Sequence, residues 1–318
     1  MADGREPTRR RGAALIDNLF HSLTALSALG ILALLAAFII VLFQASKASL
    51  VRFGPGFVIG PHWDPTHQIF GALPFVYGTL LTSAIGLLIA VPISLFIAIF
   101  VSELAPRWIA NAIGYVIELL AAVPSVVFGL WGIAVLVPFM AGTVEPRLAP
   151  LNSVLPIFSG PHIGLDVLTA GVILAIMIIP TISAISREAL RAVPTSQREA
   201  ALSLGATRWE ATRISVLSYA RIGIIAAIIL GLGRAVGETM AVTMTIGNRD
   251  AIPTSLFSQG QSIASLIANE FFSASPGSLE IGSIIEAALV LLLITLIINV
   301  FAQILISRLL RRTGGPIE

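Results

Sequence analysis

The sequence predicts an all-α integral membrane protein with six transmembrane helices. Three observations carry this. Hydrophobic residues make up 56% of 318 residues and charged ones 11%, where a soluble domain is roughly a quarter charged. Six apolar runs are long enough to cross a hydrocarbon core about 30 Å thick. The basic residues are also partitioned. With the N-terminus in the cytoplasm, fourteen of the nineteen Lys and Arg fall on that side. Lys47, Arg52, Arg147 and Arg249 fall outside, and Arg234 lies within a span. Such asymmetry sets orientation, so both termini are expected in the cytoplasm. The chain has no cysteine, which excludes a disulfide framework, thiolate metal ligation and a Cys nucleophile. His21, His62, His67 and His162 have no metal-ligand spacing. No nucleophile–base–acid constellation appears, and no nucleic-acid partner is expected; the one certain surrounding is membrane lipid.

Residues 1–18 read as a basic cytoplasmic tail carrying Arg5, Arg9, Arg10 and Arg11. The apolar run that follows, 19–45, is longer than the 7–15 residues of a signal-peptide core, so it reads as an uncleaved first span. A loop rich in Gly, Pro and aromatics, 46–73, is expected outside. The second span runs over about 75–101 and contains Pro92; a short polar segment, Ser102–Arg107, follows it. The third covers about 111–140, with Pro124 near its middle. An interior proline removes one helix hydrogen bond and clashes with the preceding turn, so both spans are expected to kink. A Pro-rich loop at 141–164 precedes the fourth span, about 165–186. The fifth is expected over about 220–247. In the loop after it, Ser262–Phe272 reads as a short amphipathic or re-entrant helix. The sixth span, about 281–306, leads into a basic tail at 307–318, expected to fray.

Between spans four and five lies the long charged segment of the chain, Pro194 to Ser218, with Arg198, Glu199, Arg208, Glu210 and Arg213. Ser196 with Glu199, and Thr207 with Glu210, have capping-box spacing. Gly205 stands where a helix-ending left-handed residue belongs. Two short helices are expected, about 197–204 and from about 208. Ala200, Ala201, Leu202 and Leu204 give the first a small apolar surface that another protein can approach closely.

Inside the fifth span, Arg234 and Glu238 are four apart on a helix, so they share a face and can pair. Each charge near the bilayer centre costs about 2.5–3.5 kcal/mol on insertion scales, so the pair needs a polar path or each other. A guanidinium suits an oxyanion, being planar, permanently charged and bidentate. A neighbouring carboxylate would keep such a site weak enough to release. A purely structural ion pair is the other reading, and Glu118 or Glu286 are rival partners for Arg234. Gly233 and Gly237 form GxxxG, a close-approach motif for a helix of this chain or of a second membrane chain. No GxxxxGK[ST] loop is present, so ATP is not held here by that device.

Glu199-Ala200-Ala201, three residues, Gly205 and then Leu217 resemble the EAA loop of ABC-importer permeases. That family's pattern continues to I-x-L-P; here Ser215 and Ser218 replace the Ile and Pro. Further stretches narrow the resemblance: 70–103, GRAVGETMAVTMTIGN (233–248) and SLIANEF (265–271) are similar to the phosphate-specific ABC importer permease family. That importer pairs two related permease chains, and GETMAV resembles one of the two more than the other. The resemblance implies a type I (MetI-like) importer transmembrane domain over 74–306, with its coupling loop at 194–218 and a cytoplasmic coupling helix. It implies a multi-pass inner-membrane permease subunit, not an enzyme. No cofactor would be bound by this chain, and ATP would sit on a separate ATPase subunit. The implied partners are a second permease in a heterodimer, two copies of a cytoplasmic ATPase and an extracytoplasmic phosphate-binding protein. By the same resemblance, Glu199, Ala200, Ala201 and Gly205 couple to the ATPase, and Arg234 and Glu238 line the substrate path. An arginine alone does not choose phosphate over sulfate, molybdate or phosphonate. A stand-alone secondary transporter would show an internal repeat, and none is evident.

Overall fold

The computed structural model describes residues 7–312, with side chains over 17–308. The first residues of the expected N-terminal tail, 1–6, and the end of the C-terminal one, 313–318, lie outside the described residues. Among the described residues there are six helices long and apolar enough to cross a membrane, and no named β-strands.

Helix α1 (Pro7–Ala45) begins well inside the expected tail and runs without interruption. Its apolar portion packs little within this chain and is almost wholly exposed. The expected loop 46–73 is instead a folded cap with two short helices, α2 (Lys47–Phe53) and α3 (Gly56–Ile59). Its aromatics supply the reason. Trp63 stacks edge-on against Phe70 and Phe75, with ring centroids 4.8 and 5.1 Å apart. These rings and Phe57 are buried with Ile263, Leu266 and Ile284.

Helix α4 (Leu73–Ile99) carries Pro92 within its length and ends in a widened π turn at Phe100–Leu104. Pro124 breaks the third span rather than kinking it. Helix α5 (Arg107–Ala121) stops, residues 122–124 are non-helical, and α6 (Ser125–Ser153) starts again. The fourth span, α7 (Val167–Arg191), is the best-buried of the six and is the hub. Asp166 caps its start by accepting from the Thr169 N–H at 2.8 Å. Helices α4, α5 and the fifth span all pack on it.

After a short helix α8 (Thr195–Ser203), the fifth span divides into α9 (Arg208–Val236) and α10 (Met240–Thr245). A continuous helix to 247 is therefore not formed. Gly223 and Gly231, not the GxxxG pair, make the close contacts of α9. Any side chain at those two positions would collide with Ala189 and Ile182 of α7. Gly233 faces no atom of another helix, and Gly237 meets only the Gly233 carbonyl. Helix α11 (Ile263–Glu270) is the expected short element, and α12 (Leu279–Arg312) extends past the expected start of a frayed tail.

A carboxyl group of α11 that faces the cap is raised by burial. Glu270 accepts a hydrogen bond from Trp63 Nε1 at 2.9 Å. Burial pushes Glu270 up to about 7, and nearby Asp250 and Glu280 add to the rise against the Trp63 hydrogen bond. Between the ordinary value of 4.5 and about 7, the folded cap holds a proton that the unfolded chain has released. Its contribution to stability therefore falls as pH rises through that window. Intrinsic tryptophan fluorescence of the purified chain is expected to titrate with a midpoint near 7, and Glu270→Gln is expected to abolish that transition. A transition that survives the substitution assigns it elsewhere.

Candidate functional site

Two regions collect the residues singled out in the sequence. The first is the charged segment. Helix α8 ends in a Schellman arrangement: Gly205 takes φ +87°, its N–H donates to Leu202 O at 3.0 Å, and Ala206 N–H donates to Ala201 O at 3.2 Å. Only glycine adopts that backbone without strain. The Thr207–Glu210 capping box forms as the spacing requires. The Ser196–Glu199 box does not. Helix α8 starts at Thr195 behind an extended Pro194, so Ser196 already lies inside the first turn, and no side chain caps the start.

Glu199, Ala200 and Gly205 are exposed and Ala201 is half-buried. The exposed side of the segment also presents Leu202, Leu204 and Trp209, with Leu204 89% exposed. An apolar side chain that prominent beside charged residues is suited to a protein contact.

The inner face of α8 carries Arg198. Its Nε donates to Glu103 Oε2 at 3.1 Å and its Nη2 to Glu103 Oε1 at 2.7 Å. The same guanidinium donates to Val193 O at 2.6 Å and Leu190 O at 2.9 Å. The hydrogen bonds to Glu103 hold Arg198 above its already high ordinary pKa. Ser215, which departs from the EAA-loop pattern, donates to Gln197 O at 2.9 Å and so ties α8 to the start of α9.

The second region is at depth. Arg234 Nη1 donates to Thr181 Oγ1 at 2.9 Å. Thr181 lies fourteen residues from the start of α7 and ten from its end, which puts Arg234 in the middle third of the span. Arg234 and Glu238 do not pair. The helix ends at Val236, so their four-residue spacing no longer places them on one face. Glu238 instead accepts from the Ala241 N–H at 3.3 Å, at the start of α10. The rival partners are engaged elsewhere or remote. Glu118 accepts from Arg187 at 3.0 Å, and Glu286 is buried in α12 with Oε2 lacking a hydrogen-bond partner.

Interrupted helices at such depth need their freed backbone groups buried in protein or lining a watery cavity. Both conditions are present. The break at 122–124 and the break at 237–239 are neighbours, because α6 packs on α10 with Gly129 against the backbone of Met240 and Ala241. Beside Arg234 an open groove of about 630 Å³ runs between α9 and α12, with Thr181, Gly233, Thr295 and Asn299 on its walls. Thr181, Thr295 and Asn299 were not singled out in the sequence, although each is a polar residue within an otherwise apolar run. Of the scattered histidines, His67 closes a turn on Asp64 at 2.6 Å. No group of three or more potential metal ligands occurs among the described residues.

Residues 90–312 match the family described as binding-protein-dependent transport system inner membrane component. The chain is 44% identical over 319 residues to the phosphate transport system permease protein PstC of Mesorhizobium japonicum, covering 99% of this chain and 97% of that protein. It is 44% identical to PstC of Haemophilus influenzae, covering 94% and 96%. A probable PstC of the archaeon Methanocaldococcus jannaschii is 34% identical, covering 84% and 86%. Among solved structures, a bacterial alginate ABC transporter chain aligns with a TM-score of 0.62 at 17% identity, covering 92% of this chain and 94% of that one. A chain of the inward-facing MetNI methionine ABC transporter aligns at 0.54 and 17%, covering 78% and 99%. At such identities the structural likeness speaks for the fold alone.

Proposed function

The chain belongs to the binding-protein-dependent transport system inner membrane components, and from that premise we propose that it is the permease subunit of an ATP-driven importer of inorganic phosphate. The observation that carries the reading is the near-full-length similarity to phosphate permeases of bacteria and an archaeon. The charge at depth agrees with it: Arg234 is a fixed cation in a groove, without an ion-pair partner among the described residues. A guanidinium offers paired donors to a tetrahedral oxyanion, and a single such site in a wide groove permits release.

In this reading the charged segment faces the cytoplasm and both termini lie there, following the positive-inside rule. A second, related permease completes the pore. Two copies of an ATPase hold the ATP, and an extracytoplasmic protein delivers phosphate. The exposed face of α8, with Glu199, Ala200 and the flanking Leu202 and Leu204, seats in the ATPase. ATP binding and hydrolysis drive the ATPase between two arrangements, and α8 passes the difference to the spans, so the groove opens alternately to each side. Coupling of this kind requires a contact that differs between the two states.

Three outcomes test the reading. In a strain lacking the native gene, the wild-type chain is expected to restore uptake of radiolabelled phosphate, competed by unlabelled phosphate and not by sulfate or molybdate. Arg234→Gln is expected to lower that uptake at least about tenfold while ATPase co-purification stays normal; wild-type uptake would remove Arg234 from the path. Gly205→Pro forbids both the positive φ and the N–H bond that end α8. It is expected to leave the chain inserted but to strip the ATPase from the purified complex. Retention of the ATPase would place the docking contact elsewhere.

A further inference from the structure

The inner face of α8 carries a charged contact that docking does not use. We propose that Arg198 and Glu103 form the latch that carries the movement of α8 to the spans, so that Arg198 is a positioning residue for transport; this rests on the importer reading above. Helix α8 is joined through the chain to α7 on one side and α9 on the other. It has no such connection to α4, whose last turn lies 95 positions earlier in the sequence. Among the described residues, the hydrogen bonds and ion pairs linking α8 to the end of α4 all run through Arg198 and Glu103.

The pair is built for load. Its two hydrogen bonds are parallel, which fixes direction as well as distance. Glu103 is 9% exposed at its side chain and Arg198 24%, so solvent screens the pair less than it would a surface pair. The remaining donors of Arg198 close on the Leu190 and Val193 carbonyls at the end of α7. One guanidinium thus clamps the ends of α4 and α7 to α8. Glu103 sits in the π turn at Phe100–Leu104, where the backbone departs from regular α geometry and gives the carboxylate its own orientation. On the other side of α8, Glu199 and Ala200 remain exposed for a partner, while Leu202, four residues from Arg198, lines the groove beside Glu103 and Arg198. The helix therefore has a docking face and a separate anchoring face, and Arg198 with half-buried Ala201 marks the second.

The test uses the whole complex with its ATPase, second permease and phosphate-loaded binding protein. Glu103→Gln keeps the side-chain shape but turns an NH2 group toward the Arg198 donors. Arg198→Lys keeps the charge and loses the fork. Both variants are expected to co-purify with the normal amount of ATPase and to retain basal ATP hydrolysis. Stimulation by the phosphate-loaded binding protein, and phosphate uptake, are expected to fall about tenfold, within the span of a typical coupling free energy. Wild-type stimulation and uptake in both variants would overturn the latch. So would loss of the ATPase or of the folded chain in both, because the pair would then be a structural contact only. A wild-type complex that neither takes up phosphate nor responds to the loaded binding protein would instead overturn the importer reading.

Discussion

Hydrocarbon cannot hydrogen-bond a free peptide group, and that constraint shapes this chain. A break in a membrane helix survives only where protein or a watery cleft receives the exposed backbone. Two breaks, at 122–124 and 237–239, meet this requirement by packing beside one another, α6 against α10. Both are held against α7, which is buried enough to act as their fixed wall. Glycine permits the closeness: at 129 there is no side chain to push the two segments apart. Breaks of this kind at mid-depth are where transporters place their substrates, and Arg234 emerges at one of them.

The count of six spans, the positions of the first, second, fourth and sixth, and the two-helix form of the charged segment were legible in the sequence, whereas the third and fifth lie more than ten residues from where the apolar runs put them. Apolar runs and turn chemistry act locally, so Gly205 and the Thr207–Glu210 box behave as their spacing says. What was not legible depends on tertiary context. Pro124 could kink or break a helix, and only the neighbouring α10 makes the break tolerable. The Arg234–Glu238 pairing assumed a continuous helix that ends two residues too soon. The Gly233–Gly237 motif makes no helix contact within this chain, where Gly223 and Gly231 meet α7 instead. Glu103 and Arg198 are 95 positions apart, and no periodicity relates them. The segment 46–73 reads as a loop because its order comes from buried aromatic contacts rather than from helix propensity.

These features divide the labour by face and by depth. In the proposed reading, the charged segment receives force on an exposed apolar-edged helix and is anchored beneath by a guanidinium. The middle of the bundle carries a lone cation in an open groove. The opposite end is closed by aromatic rings. A chain arranged this way needs a motor and a delivery protein from outside itself, in keeping with a family defined as one component of a larger transport system.

The sidedness of α8 decides whether force can enter there from the cytoplasm. The chain has no native cysteine, so a single Leu204→Cys substitution gives a clean reporter at a highly exposed position. In membranes lacking the ATPase, a membrane-impermeant maleimide is expected to label that cysteine in inside-out vesicles and not in right-side-out ones. Labelling confined to right-side-out vesicles would contradict the account.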